Sequence, residues 1–425
     1  GADSTLAAGE TGGDIVIEAG SISLTSVNAS GGKSTATGDH AGGAAGDITL
    51  TANNITGSKT ITINGGISAK GGEGSGAGAS GVAGIVDLAL ADDTIAGQVN
   101  LNSNSFLSSS LTVKGSAHSG DTLTLTNSNN DWLITAANTG EVRDADNSVS
   151  SPVVSFSGFE NIVGGSDADN FVIDSTGSVA SISGGTGTGI NTLTGRDVNN
   201  TWEIGGNNQG VVKEGATTYA QFTNIQHLVG GSLNDTFDFS IATSATISGS
   251  INGGDALAEA GTVVNTIKGR NGSSIWTITG ANQGNIKETP TSNADEYLRE
   301  FGNIHNLTGG TAADIFDFSA ANAAISGKVD GGATGNNEII ARKNVINTWG
   351  MTGNESGDLA VTVDLTTSYV NEFDHIQVFT GAGNDTMSFE NFATGTVKVT
   401  LGSTGSTGVT SFIGKDNADA EIVKA

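Results

Sequence analysis

Apolar and polar residues alternate in short runs along most of the chain, as in "DIVIEA" (14–19), "DITLTA" (47–52), "KTITI" (59–63), "DTLTLT" (121–126) and "DIFDFS" (314–319). A period of two sends successive side chains to opposite faces of a pleated strand, so each run predicts a strand with one buried face. Clusters of Gly, Asn, Asp and Ser separate the runs, where a chain turns. Helical periods are nearly absent, and "DALAEAG" (255–261) is the sole stretch predicted as a short helix. The pattern predicts an all-β chain of many short strands.

The runs are organised by an internal repeat. Trp132, Trp202, Trp276 and Trp349 are 70, 74 and 73 residues apart. Two residues after each stands Ile134, Ile204, Ile278 or Met351; eight after, Gly140, Gly210, Gly284 or Gly357; ten after, Val142, Val212, Ile286 or Leu359. Downstream, Phe159, Phe222, Phe301 and Phe373 each precede an Ile by three residues, and a glycine-rich turn with Asp169, Asp235, Asp314 or Asp385 follows. The length between the shared Gly and that Phe varies, and Pro152 and Pro290 fall in this stretch, which predicts a loop outside the strand ladder. A unit of about 70 residues with five or six strand-like runs is too long for one solenoid turn and predicts roughly three coils of about 20 to 25 residues.

Residues 1–110 use the same alternation with different spacers. Gly13, Gly46 and Gly84 open corresponding units, and Gly/Ala/Ser tracts such as "GGEGSGAGASGVAG" (71–84) separate them; these tracts are predicted to be loops leaving the coils. The chain therefore divides into 1–110, Gly/Ala/Ser-rich coils; 111–395, four repeat units; and 396–425, a terminal coil or cap. Stacked coils with equivalent positions in columns describe an elongated right-handed parallel β-helix, a β-solenoid.

Composition supports a thin core. Gly accounts for 65 of 425 residues and aromatics for 5%, so wide layers of bulky side chains are not available. With two prolines and no Gly-X-Y period, collagen is excluded. Asp plus Glu total 44 against 17 Lys plus Arg, a net charge of −27 that repels phosphate backbones and anionic lipid, so neither nucleic acid nor membrane insertion is expected. There is no Cys, hence no disulfide and no thiolate metal site. No apolar run approaches the roughly 20 residues that span a bilayer. The chain begins at Gly1 without a signal peptide and is read as a mature product or an excerpt.

On "GDITLTA" (46–52) and "GGISAKGG" (65–72) the first quarter resembles filamentous-haemagglutinin-type adhesins. The remainder, with its Trp, Ile and Gly block followed by Phe, Asn-Ile, a Gly pair, Asp and Phe, resembles the arrays of very large bacterial β-strand-repeat surface proteins. The resemblance implies a right-handed parallel β-helix, export to the extracellular space or bacterial cell surface, and a role in adhesion, biofilm matrix or surface structure. Family members' N-terminal secretion domain is not evident here.

"TGAGNDTMS" (380–388) is similar to the calcium-binding nonapeptide of RTX β-rolls, GGxGxDxUx, with Thr380 in place of the first Gly. Gly381, Gly383, Asp385 and Met387 match; in the other copies the third Gly is Asp167, Leu233 or Ala312. The similarity implies calcium at Asp169, Asp235, Asp314 and Asp385, although calcium takes six to eight oxygens and the next matching turn is about 70 residues away. The other reading of these aspartates is that they satisfy turn N–H groups. No cofactor is otherwise required.

Other motifs carry less. "VNASGGKS" (27–34) lacks the first Gly of a phosphate-binding loop and is followed by no helix-forming stretch; "GGTGTG" (184–189) shares the second failing. His227, His305 and His375 sit at different offsets in their units, and no Gly-x-Ser-x-Gly occurs. The acid pairs Asp92/Asp93, Asp144/Asp146 and Asp167/Asp169 are candidates for glycoside chemistry, but Arg143, Arg196, Arg270, Arg299 and Arg342 are spread along the chain as in a repeating surface. The tryptophans are read as core residues, with sugar-stacking platforms as the alternative. The function expected is a non-catalytic structural or adhesive segment of an exported bacterial surface or matrix protein, whose partners are a host or abiotic surface, a glycan, or other copies of itself. A polysaccharide-active enzyme on the same fold and a self-assembling filament or surface-layer block are the alternatives.

Overall fold

The alternating runs become strands with alternating burial. The computed structural model of the chain describes all residues except 1, 6, 103–110, 126, 127, 145–153, 255–262, 290–295, 354, 362–367, 382–384, 392–396, 402–410, 414–419 and 425; at 144 and beyond 396 it describes the backbone alone. Every regular element among the described residues is a strand. The predicted helix at 255–261, Pro152, Pro290 and Gly383 lie outside the described residues. No helix among the described residues is long and apolar enough to cross a membrane.

The chain forms two compact units, Gly1–Arg196 with Thr218–Ile225, and Asp197–Thr217 with Gln226–Ala425. In the first, strands pair in parallel with strands one coil away, most of them alternating between two sheets, while Val27–Asn28 and Ile67–Ser68 pair as a two-stranded sheet of their own. Ile22, Ile61, Val99, Leu123, Ile162, Ile182 and Phe222 are register partners in one column of one sheet. Ile48, Val86 and Leu111, beside Leu50, Leu88 and Val113, form columns in the other. In the second unit Phe237, Ile267, Leu307, Val329 and Phe373 make such a column, and Trp276, Phe316, Ile339 and Phe379 make another. Apart from half-buried Phe379, these side chains are buried and form the core of an all-β solenoid.

The 70-residue repeat differs from the predicted three coils. Its Trp block is an antiparallel hairpin: Trp132 pairs with Val142 and Ile134 with Gly140, and Trp202, Trp276 and Trp349 pair likewise with Val212, Ile286 and Leu359. The spacings of eight and ten residues are thus the register of a hairpin rather than of a coil. In the third copy, Ser274–Gly280, Gln283–Glu288 and Glu296–Gly302 form a three-stranded meander in one sheet. Its other strands, Thr266–Lys268, Asn306–Thr308, Ile315–Asp317 and Ile325–Asp330, visit the two sheets alternately. The meander counts as one visit, so the copy makes five, two and a half coils. An odd number of visits sends the next copy's meander to the opposite sheet: that of the fourth copy, Asn347–Met351, Gly357–Val361 and Ser368–Asp374, lies in the sheet opposite that of the third.

The Gly/Ala/Ser tracts are not loops leaving the coils. They are hydrogen-bonded side by side with a period of three: Gly9 N–H to Ala41 and Gly12 N–H to Ala44, Gly42 to Ala79 and Ala45 to Val82, and in the reverse direction Gly43 to Gly32 and Gly46 to Ala29. A three-residue period is that of polyproline-II winding, which leaves its N–H and C=O groups free to bond neighbouring segments. Backbones approach so closely that a Cβ on Gly43 would stand 1.8 Å from the Glu10 carbonyl oxygen, which excludes every residue but glycine there. What the sequence presents as flexible composition is a packed layer of the first unit.

Candidate functional site

One coil corner in each copy is closed by the aspartate of the repeated turn. The Asn130 N–H and Nδ2 donate to Asp169 Oδ1 at 3.2 and 2.7 Å, and those of Asn200 donate to Asp235 Oδ1 at 2.9 and 2.7 Å. Ser274 N–H reaches Asp314 Oδ1 at 2.9 Å and Gly310 N–H its Oδ2 at 2.8 Å; Asn347 N–H reaches Asp385 Oδ1 at 2.8 Å. The donors to Oδ1, Asn130, Asn200, Ser274 and Asn347, each sit two residues before the repeat's tryptophan. The next coil continues the column: the N–H groups of Asp169, Asp235 and Asp314 each donate, at 2.9 Å, to the side-chain oxygen of Asn191, Asn265 and Asn337 respectively. Those asparagine amides donate onward to the carbonyls of Asn224, Asn303 and His375 at 3.0–3.1 Å.

The four aspartates are at most 2% exposed. Burial pushes the Asp169 and Asp314 carboxyls up to about 6 and that of Asp235 to about 7, against the pull of the hydrogen bonds they accept. A glycine of each turn, at the first position in three copies and at the second in the fourth, packs on the carboxylate: a Cβ on Gly164, Gly230, Gly309 or Gly381 would stand 2.1–2.5 Å from Oδ2 of the local aspartate. Each carboxylate to which the RTX similarity assigns calcium accepts protein hydrogen bonds through Oδ1, while Oδ2 of Asp169 and of Asp235 is buried without a hydrogen-bond partner. Close by, the tryptophans are at most 1% exposed, and Trp132, Trp202 and Trp276 stack on Phe171, Phe237 and Phe316 at 5.4–5.6 Å between ring centroids. They are core residues.

The arginines read as surface divide into two kinds. Arg299 is exposed, and Arg143 is largely so. Arg196, Arg270 and Arg342 lie over the rings of Tyr219, Tyr297 and Tyr369 at 4.2–4.3 Å and donate to the carbonyls of Gly177, Ala245 and Ala323. They tie turns to strands, a pairing hidden in sequence because each tyrosine is 23 to 27 residues from its arginine.

Among the described residues, three metal-ligating side chains converge at one place. Asp330, Asp374 and His375 bring their ligand atoms within 4.8 Å of one another, where strands Ile325–Asp330 and Ser368–Asp374 run in parallel. His375 Nδ1 is 2.8 Å from Asp330 Oδ1, a hydrogen bond that raises the imidazole pKa. Lys328 Nζ, 3.1 Å from Asp374 and 3.3 Å from Asp330, already supplies the cluster with a cation. His375 has φ 53°, a left-handed conformation shared with Asn224 and Asn303 at the same place in their copies.

Of the acid pairs, Asp92 accepts from its own turn at Thr94 N–H, Asp93 accepts from Ala117 N–H, and Asp167 is exposed beside buried Asp169. Asp146 and the Asp144 side chain lie outside the described residues. A buried network that the sequence did not reveal links Lys59, 1% exposed, through Ser116 Oγ at 3.1 Å to Asp121 Oδ2 at 2.6 Å from that hydroxyl. Asp121 begins "DTLTL" as Asn191 begins "NTLTG", so it takes the asparagine's place in the corner column, with Lys59 balancing its charge. Compared with known proteins, the chain matches no family model, no curated protein and no solved structure.

Proposed function

We propose that the chain is a non-catalytic structural and adhesive segment of an exported bacterial cell-surface or matrix protein, akin to the haemagglutinin-type and β-strand-repeat proteins it resembles. One observation carries this reading: the residues that recur in all four copies are buried, while the outward ones beside them drift. Trp and the corner aspartate persist; outward positions flanking the tryptophan are Asp131 and Leu133, then Thr201 and Glu203, then Ile275 and Thr277, then Thr348 and Gly350. Repetition of a core with a varying exterior builds a scaffold, whereas catalysis needs one supported constellation. Calcium is not required for this reading, because each corner carboxylate accepts a backbone hydrogen bond through Oδ1.

Attachment of the intact chain to glycan-coated and abiotic surfaces, compared with that of shortened chains, tests the proposal. Weak multivalent attachment should fall steeply as copies are removed, since avidity needs several simultaneous contacts. Release of reducing or unsaturated sugar from a polysaccharide, abolished by a single Asp substitution, would overturn it.

A further inference from the structure

The outer face of the first meander departs from those of the other copies. Strands Thr139–Asp144, Asn130–Ala136 and Asp169–Ile173 lie side by side, so that Arg143, Asp131 and Asn170 form one outward row and Glu141, Leu133 and Val172 the next. Between these rows is a groove of about 280 Å³ over the buried Trp132. In the second copy the positions of Leu133 and Val172 are held by Glu203 and Asp238, and Lys213 bonds Glu203 at 2.7 Å across the face. In the third they are Thr277 and Asp317, and in the fourth Gly350 and Ser388. An apolar floor with a polar rim occurs in the first copy alone.

The rim holds two acceptor carboxylates, Asp131 and Glu141, and two donors, the Arg143 guanidinium and the Asn170 amide. Arg143 bonds Glu141 at 2.8 Å and Asn170 Nδ2 bonds Asp131 at 3.2 Å, so the four groups are already arranged in donor–acceptor pairs. A pyranose ring matches this arrangement: its C–H face is apolar, and each hydroxyl on its edge both donates and accepts. The pairing of carboxylates with guanidinium and amide suits vicinal hydroxyls, while two carboxylates against one cation, on a chain of net charge −27, disfavour an anionic sugar. We propose that this groove binds a neutral pyranose unit of a glycan, with Leu133 and Val172 under the ring and Asp131, Glu141, Arg143 and Asn170 on its hydroxyls. The proposal rests on the adhesive reading and gives it a ligand class.

Saturation-transfer NMR on the intact chain, with millimolar methyl glucoside, methyl galactoside, methyl mannoside, N-acetylglucosamine and methyl glucuronide, tests it. Transfer to the ring C–H protons of at least one neutral sugar, and none to the glucuronide, is expected. Leu133→Glu and Asn170→Thr install residues that the second copy carries at these positions; Asn170→Thr should melt as the parent does, and because Leu133→Glu also sets a second carboxylate opposite Glu141, its fold is checked by its melting. Each should weaken binding by about tenfold or more, since one removes the floor and the other a rim bond. Failure of every neutral sugar to receive saturation, or unchanged binding by a normally folded Leu133→Glu variant, would overturn the assignment. Attachment to glycan-coated surfaces that none of these sugars inhibits would sink the groove while leaving the adhesive reading intact. Sugar binding without any surface attachment would do the reverse.

Discussion

A glycine and an aspartate a few residues apart are the smallest unit of this fold. In the third copy a Cβ on Gly309 would stand 2.5 Å from both Asp314 Oδ2 and the Gly331 carbonyl oxygen, whereas one on Gly302 would meet nothing within 4 Å. Gly309→Ala should therefore cost about 1–3 kcal/mol, with Gly302→Ala close to neutral, as measured by the midpoint of thermal melting. Equal effects would remove the close-approach explanation. The carboxylates also make stability depend on pH. The folded pKa values of Asp169 and Asp314, about 6, and of Asp235, about 7, lie above the roughly 3.9 of an unfolded aspartate, so the folded state holds protons more tightly. This contribution is complete below about pH 4 and is lost as pH rises through 6 to 7. The melting temperature should be higher at about pH 5 than at about pH 8, and Asp235→Asn should raise it at the higher pH and reduce the difference. An opposite slope, rising with pH, would show that these carboxyls are not held protonated by burial.

At the scale of elements, an arginine staple ties the meander to a neighbouring turn in the second, third and fourth copies. Arg270 is buried, lies 4.3 Å from the Tyr297 ring and bonds the Ala245 carbonyl through Nε, joining the turn before Ile247–Asn252 to the third meander strand. Lysine keeps the charge but loses the planar fork that makes stacking and paired donation simultaneous. Arg270→Lys should speed amide exchange at Ala242–Ala245 while leaving the Trp276 hairpin protected, a contrast that hydrogen-exchange mass spectrometry resolves. Uniform loss of protection across both would mean that the staple supports the whole unit. The hairpin was legible as a gapless block but not as a hairpin, because a spacing of eight or ten residues fits strand and hairpin register alike. The staple was not legible, since tyrosine and arginine meet only once the intervening strands have crossed between sheets.

For the molecule as a whole, near-neighbour stacking makes stability additive along the chain. Residues 197–425, which contain all of the second unit together with Thr218–Ile225 of the first, should retain their β signal in far-UV circular dichroism and remain soluble when expressed alone. Aggregation with loss of that signal would show that folding needs the removed coils.

Alternation of side chains alone determined that the chain is all-β, and recurrence of Trp, Gly, Phe and Asp determined that it stacks as a solenoid, because strand faces and coil columns are local and periodic properties. Only the tertiary structure decided the rest. It turned the glycine tracts into a bonded layer, made the third copy two and a half coils, buried the turn aspartates against glycine, and assembled Asp330 with His375 and Asp131 with Asn170. Each of these depends on which coil lies beside which, and that register is set by crossings and hairpins tens of residues away, where sequence periodicity carries no signal.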